Sequence, residues 1–365
     1  MAALIARVAR GNVGRGLVLS GLRGVGKTVL LNELANQAEA AGWIVAIVEA
    51  HPSGTSREPF ALQLARSMRS SLRAAGFKYT ASGVLHDAMA TFKSFTLKLD
   101  PSGAVSAGIE ADPSRGRGDS GYIATDISDL AADLAAAAKD NHTGVGVFID
   151  EMQDADQDVL AALCAAVHNA AQRNLPFYVI GAGLPSLPGV LSTAATYAER
   201  MFEYRTIEHL DAADSRRVLT DPANTEGVQW EEAATTLIAN EANGYPYFLQ
   251  EYGRAAWDVA PGPTITYSDV LIAITDGREA LDAGFFHSRW ARATPAERQY
   301  LSAMAKDGLG PSLSSEIASR LGRTIQSLGP TRANLIAKGL IYSPEHGQVS
   351  YTVPGMADFV TRQDH

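Results

Sequence analysis

The stretch Gly16-Leu17-Val18-Leu19-Ser20-Gly21-Leu22-Arg23-Gly24-Val25-Gly26-Lys27-Thr28 decides how this chain folds. Its last eight residues fit G-x-x-x-x-G-K-[ST], the phosphate-binding P-loop. The run before them is short, apolar and bounded by glycine, as a buried strand is. After Thr28, the run Val29-Leu30-Leu31-Asn32-Glu33-Leu34-Ala35 has helical periodicity. Strand, glycine-rich turn and helix are the context that the motif needs. The glycines let the backbone curl so that successive N–H groups face a phosphate. The helix adds its positive N-terminal end. Gly21, Arg23, Gly24, Val25, Gly26, Lys27, Thr28 and Val29 are therefore the expected nucleotide-binding residues. Lys27 supplies a mobile charge for the β- and γ-phosphates, and the Thr28 hydroxyl is a natural Mg²⁺ ligand. The competing interpretation is a glycine-rich turn that matches by chance.

A second motif supports the first. Val145-Gly146-Val147-Phe148-Ile149-Asp150-Glu151 is an apolar strand ending in two acids. A central strand of a parallel sheet is apolar on both faces, and ligands bind at the C-terminal ends of such strands. Asp150 is the second expected Mg²⁺ ligand, through water. Glu151 is placed to polarise an attacking water as general base. The plainer alternative is an acidic cap on the next helix, a role that Asp154 or Asp156 can fill.

Size and composition set bounds. At 365 residues the chain has room for two or three domains, with 46% hydrophobic and 19% charged residues. The apolar runs fall far short of the ~20 residues of a membrane span. Residues 1–10 read as a basic amphipathic helix rather than a secretion signal. The single cysteine, Cys164, lies in a helical apolar run and reads as a small buried residue. With no intramolecular disulfide available, a reducing cytoplasm is the expected location. The net charge of −9 argues against uniform coating by nucleic acid but leaves room for a local basic surface.

Further strands are expected at 43–49, 176–181 and 201–206, and helices at 60–75, 126–139 and 156–172. Residues 94–99 and 104–109 alternate apolar and polar about Asp100-Pro101-Ser102-Gly103, which predicts an inserted hairpin. Residues 111–121 read as a mobile loop with Arg115 and Arg117 exposed. Alternating strands and helices make a three-layer α/β core with a parallel sheet, spanning 1–209. Residues 210–288 carry only helical signals and read as a small lid, with Ser268 or Asp269 capping a helix to about 287. Residues 289–365 form the last domain. Helices are expected at 295–306, 315–321 and 324–338, then strands at 340–343 and 349–353 around Pro344-Glu345-His346-Gly347. Three helices and a hairpin are the arrangement of a winged helix-turn-helix.

From 295 to 365 there are seven basic and six acidic residues, but 320–338 holds four bases and no acid. A recognition helix with basic flanks can neutralise phosphates while its N-terminal residues meet base edges. Thr324, Gln326, Ser327 and Thr331 are the candidates for base contact. A winged helix used only for protein packing is the alternative.

Together these motifs resemble the AAA+ ATPases of the origin-recognition and initiator clade, and more closely the related archaeal and bacterial ATPases with a helical lid and winged helix. The resemblance covers the whole chain. It rests on residues 21–28, Phe-Ile-Asp-Glu-Met-Gln (148–153), Ala-Glu-Arg-Met-Phe (198–202), Gly-Tyr-Pro-Tyr-Phe-Leu-Gln (244–250) and Lys-Gly-Leu-Ile-Tyr (338–342). It implies ATP or ADP with Mg²⁺ as cofactors, a homo-oligomer, and Arg200 as an arginine finger reaching a neighbouring subunit's γ-phosphate. A surface ion pair of Arg200 with Glu199 or Glu203 is the alternative. Three departures stand out. The polar sensor expected after the strand at 177–180 is replaced by Gly181-Ala182-Gly183. The lid arginine has no clear counterpart, and little precedes the P-loop where the family packs on adenine, so the native start is expected upstream.

The expected function is an ATPase that couples Mg-ATP binding and hydrolysis to double-stranded DNA through 320–338 and the wing, with turnover weakened by the missing sensor. The alternative is a slow or non-hydrolysing nucleotide switch whose winged helix contacts proteins. A small-molecule kinase does not explain the acid pair, lid and winged helix together.

Overall fold

The computed structural model describes residues 1–51, 57–75, 83–106, 109, 111–308 and 310–363. The chain divides into two compact units, Met1–Ser20 with Lys27–Thr206, and Gly21–Gly26 with Ile207–His365.

The first unit runs α1 (Ala2–Val8), β1 (Gly16–Ser20), α2 (Lys27–Ala40), β2 (Ile44–Glu49), α3 (Arg57–Ala75), α4 (Gly83–Leu99), α5 (Ile123–Asp140), β3 (Val145–Asp150), α6 (Gln157–Gln172), β4 (Phe177–Gly183), α7 (Leu187–Ala194), α8 (Ala198–Met201) and β5 (Phe202–Thr206). The five strands are parallel in the order β2-β3-β4-β1-β5. This is the α/β core that the strand and helix pattern predicts. The central strand β4 and its neighbour β3 are apolar on both faces; every residue of β4 is buried, as are Val145–Ile149 of β3. Each such Val, Ile or Phe contributes about 1.5–3 kcal/mol by leaving water. The edge strand β5 instead alternates, with Phe202 buried and Glu203 and Arg205 exposed. Helices α5 and α6 pack on each other and bury alanines, Ala131, Ala135 and Ala138 on one and Ala162, Ala166 and Ala170 on the other. Small side chains let helices approach closely.

The inserted hairpin is not there. Residues 94–99 are the last turns of α4, and 104–106 are turn; residues 107 and 108 of the expected second strand lie outside the described residues. A longer window explains the difference. Ala88, Phe92 and Phe95 are all buried, and the spacing i, i+4, i+7 is helical. The alternation at 94–99 is the end of that helical pattern. The turn itself stands, with the Asp100 carboxylate accepting the Ser102 N–H at 3.2 Å. The segment 111–121 is also tied down rather than free. Arg117 donates to Asp133 of α5 at 2.7 and 3.0 Å, and the Ser94 hydroxyl donates to the Ser114 carbonyl at 2.6 Å.

The second unit contains α9 (Ala212–Thr225), β6 (Gln229–Trp230), α10 (Glu232–Ala242), α11 (Pro246–Val259), β7 (Thr264–Ile265) and α12 (Tyr267–Ala280), which passes through a π-helical stretch, Leu281–Phe286, into α13 (His287–Ala291). Then come α14 (Pro295–Ala305), β8 (Ser312–Leu313), α15 (Ser314–Arg320), α16 (Ile325–Ala337), β9 (Ile341–Tyr342), β10 (Gln348–Tyr351) and α17 (Met356–Gln363). Strands β8, β10 and β9 form an antiparallel sheet in that order. One apolar cluster, including Leu249, Val270, Leu301, Ile317, Leu335 and Phe359, runs through the unit. The cap of α12 is Thr266 rather than Ser268 or Asp269. Thr266 accepts the Asp269 N–H, and the Asp269 carboxylate accepts the Thr266 N–H in return, a reciprocal capping box. No described helix is long and apolar enough to cross a membrane.

Cys164 has no exposed surface, and burial pushes its thiol up to about 11. The thiolate is the reactive form. A disulfide reagent such as Ellman's at pH 8 is therefore expected to leave the native thiol unmodified and to titrate one thiol on unfolding. Fast reaction of the folded chain would contradict this packing.

Candidate functional site

The order β3-β4-β1 sets the C-terminal ends of β1 and β3 on the same edge of the sheet, one strand apart. In the glycine loop that follows β1, Gly24 and Gly26 take φ of +82° and +90°, a left-handed conformation that other residues resist. Lys27 and Thr28 then open α2. Lys27 is 7% exposed, and the first N–H groups of a helix lack internal partners. The Thr28 hydroxyl donates to Asp150 Oδ2 at 2.7 Å. The other carboxylate oxygen, Oδ1, accepts the Glu151 N–H at 2.9 Å. The two residues singled out as metal ligands are thus brought together, although 122 positions separate them in sequence.

A hydroxyl and a carboxylate this close suit a hard divalent cation. Mg²⁺ commonly takes one or two protein oxygens and fills its octahedron with phosphate oxygens and water. Among the described residues no group of three or more His, Cys, Asp and Glu gathers to hold a metal. A cation at Thr28 and Asp150 would take its other ligands from a bound phosphate and from solvent, so the donor set fits Mg²⁺ with nucleotide.

Glu151 sits in a left-handed backbone conformation, φ +46° and ψ +38°, which costs about 1–2 kcal/mol for a residue with a side chain. The turn Met152–Asp154 holds it, and the Asp154 N–H donates to the Glu151 carbonyl at 2.8 Å. Gln153, not singled out in the sequence, holds the side chain. Its Nε2 donates to Glu151 Oε2 at 2.6 Å, and its Oε1 accepts the Leu184 N–H at 2.9 Å. A Cβ on Gly181 would overlap Met152 Sδ, and one on Gly183 would overlap Gln153 Oε1. The small residues that end β4 make room for these two side chains. That run of three was the signal in the sequence: something packs where side chains are missing. The helix cap is supplied separately, by Asp156, whose carboxylate accepts the Asp158 N–H at 2.8 Å.

The remaining expected residues are distributed as follows. Val25 is buried and Val29 is 72% exposed. Within the second unit, the Arg23 N–H donates to the Thr352 carbonyl at 3.1 Å, and a Cβ on Gly24 would stand 2.5 Å from the Tyr245 hydroxyl. Arg200 lies exposed on α8. Glu203, one of its two expected partners, pairs with Arg205 instead. The acid-free stretch 320–338 is less available than its charge count implies. Arg320 pairs with Asp307 and Glu316. Lys338 pairs with buried Glu297 at 2.6 Å; burial works against the Glu297 charge, but Lys338 and the Thr294 N–H outweigh it and the carboxyl sits below its usual range. Arg332 donates to the Ser343 hydroxyl at 2.9 Å. Arg323, Thr324, Gln326 and Ser327 are exposed, and Thr331 is half-buried.

Residues 1–180 match a family described as an AAA ATPase domain, and residues 283–360 match one described as a domain of unknown function. No curated protein matches the chain. Among solved structures, a Walker-type ATPase of Pyrococcus abyssi is similar over 94% of this chain and 90% of its own, at 16% identity and a TM-score of 0.57. The RuvB Holliday junction branch migration motor of Thermotoga maritima matches over 96% and 88%, at 17% identity and a TM-score of 0.46. The ORC1 protein of Aeropyrum pernix, solved in complex with DNA, matches over 100% and 90%, at 14% identity and a TM-score of 0.42. At such identities the likeness is one of fold. The family match and the five-stranded parallel sheet give this chain the P-loop fold of the AAA+ ATPases.

Proposed function

We propose that the chain binds ATP and ADP with Mg²⁺ and hydrolyses ATP. The observation that carries this reading is the 2.7 Å bond between the Thr28 hydroxyl and Asp150, which joins the P-loop to the acid-tipped strand. The loop's N–H groups and Lys27 bind the phosphates. Thr28 would hold Mg²⁺ directly and Asp150 would hold it through water, and the ion would supply charge neutralisation for the phosphoryl group being transferred. Glu151 takes a proton from water as its oxygen attacks the γ-phosphorus. The bond to the bridging oxygen breaks, and ADP and phosphate leave. Arg200 is exposed and suits contact with a second copy of the chain, whose γ-phosphate it would reach as an arginine finger.

Lys27→Ala is expected to abolish nucleotide binding in calorimetric titration; tight ATP binding by the variant would move the site elsewhere. Glu151→Gln is expected to bind ATP as the parent does while turnover falls about 10²- to 10⁴-fold, the usual worth of a general base. Parental turnover in that variant would remove Glu151 from the chemistry.

The same reading divides the chain into a core (1–209), a helical lid (210–288) and a winged helix (289–365) that engages duplex DNA through 320–338. The three helices α14–α16 and the antiparallel β8-β10-β9 sheet support the last assignment. A second reading, a nucleotide switch acting on a protein, is favoured by one observation. Three of the four bases in 320–338 are tied to partners inside the unit, and the turn 343–347 carries no Lys or Arg. Each phosphate contact adds about −0.9 to the slope of log K against log salt. If Arg323 and the start of α16 carry DNA binding, the slope stays near −1 to −2. The deciding experiment is ATP hydrolysis with and without duplex DNA at two salt concentrations. Stimulation with that shallow slope supports the DNA reading; turnover or nucleotide binding with no DNA effect supports the switch.

A further inference from the structure

We infer that Gln153 is the positioning residue for Glu151 and stands in for the polar side chain that β4 lacks. This rests on the reading that Glu151 activates water for ATP hydrolysis.

Three observations converge on one side chain. First, β4 ends in Gly181-Ala182-Gly183, so its end offers no polar side chain to the site. Second, the Gln153 carboxamide fills the space over Gly183, where a Cβ would overlap its Oε1. Third, both ends of that carboxamide are engaged, Oε1 by the Leu184 N–H at 2.9 Å and Nε2 by Glu151 Oε2 at 2.6 Å. The orientation is not a free choice. A backbone N–H can only donate, so the oxygen must face Leu184 and the amino group must face Glu151. Reversal would put donor against donor and leave the carboxylate facing an oxygen.

The consequence is mechanical. Glu151 starts from a left-handed backbone. One carboxylate oxygen is pinned by Gln153, and the other, Oε1, is left to receive the proton of water. Gln153 is in turn anchored to the residue directly after β4. A movement of the β4–α7 connection therefore reaches the water-activating carboxylate through a single side chain. Gln153 touches neither water nor phosphate in this scheme and acts only through Glu151. Misplacing a reacting group by about 1 Å can cost about 10²-fold in rate.

The test is Gln153→Glu. The new side chain keeps an acceptor for the Leu184 N–H but turns a carboxylate oxygen toward Glu151 in place of the donor. Steady-state kcat and KM for ATP, calorimetric ATP and ADP affinity, and Tm are measured for the parent, Gln153→Glu and Gln153→Ala. The expected result for Gln153→Glu is a kcat lowered about 10- to 100-fold, with KM and both affinities within about threefold and Tm close to the parent. Gln153→Ala should lose turnover similarly and melt lower, because the Leu184 N–H loses its acceptor. Parental kcat in Gln153→Glu overturns the positioning role alone. A kcat loss matched by an equal loss of ATP affinity or by a lowered Tm in Gln153→Glu overturns it in favour of a structural role. A parent that binds ATP without turning it over overturns the hydrolysis reading, and the positioning role falls with it.

Discussion

The hydrogen bond between the Thr28 hydroxyl and the Asp150 carboxylate depends on a sheet built in one particular order. Thr28 lies in the first turn of α2, after the loop that follows β1, and Asp150 ends β3. The two strands never touch, because β4 lies between them. Parallel registers align Ser20 with Gly183 and Ile149 with Gly181, so all three strands finish at one edge. The N-terminus of α2 with Lys27, and the carboxylates of Asp150 and Glu151, collect at that edge. The apolar faces of β3 and β4 keep that edge fixed.

The end of β4 shows how the same constraint works on a finer scale. A sheet edge crowded with functional groups has no room for side chains on every strand. Here β4 gives up its own, and the turn Met152–Asp154 lays Met152 and Gln153 across the vacated space. The strain at Glu151 is small beside the burial energy that surrounds it.

Much of this was legible in the sequence, for reasons that can be located. The P-loop and the acid-tipped strand are contiguous motifs whose chemistry fixes their local shape, and buried parallel strands are continuous apolar runs. What failed was local too. The stretch 94–99 mimics a strand because six residues are too few to separate period 2 from period 3.6; Ala88 and Phe92 decide it. Gln153 was hidden because its partners, Glu151 and Leu184, come together only when β3 and β4 pair. The basic count over 320–338 is incomplete for the opposite reason. A count of charges ignores partners such as Asp307 and Glu297, which come from an earlier helix and its end.

The most direct test is a crystal structure of the chain with Mg²⁺ and a non-hydrolysable ATP analogue. The account predicts the triphosphate in the loop 21–28, with the ion about 2.0–2.1 Å from the Thr28 hydroxyl and Asp150 reached through a bound water. A triphosphate bound away from this loop, or an ion that contacts neither Thr28 nor the water on Asp150, would contradict it.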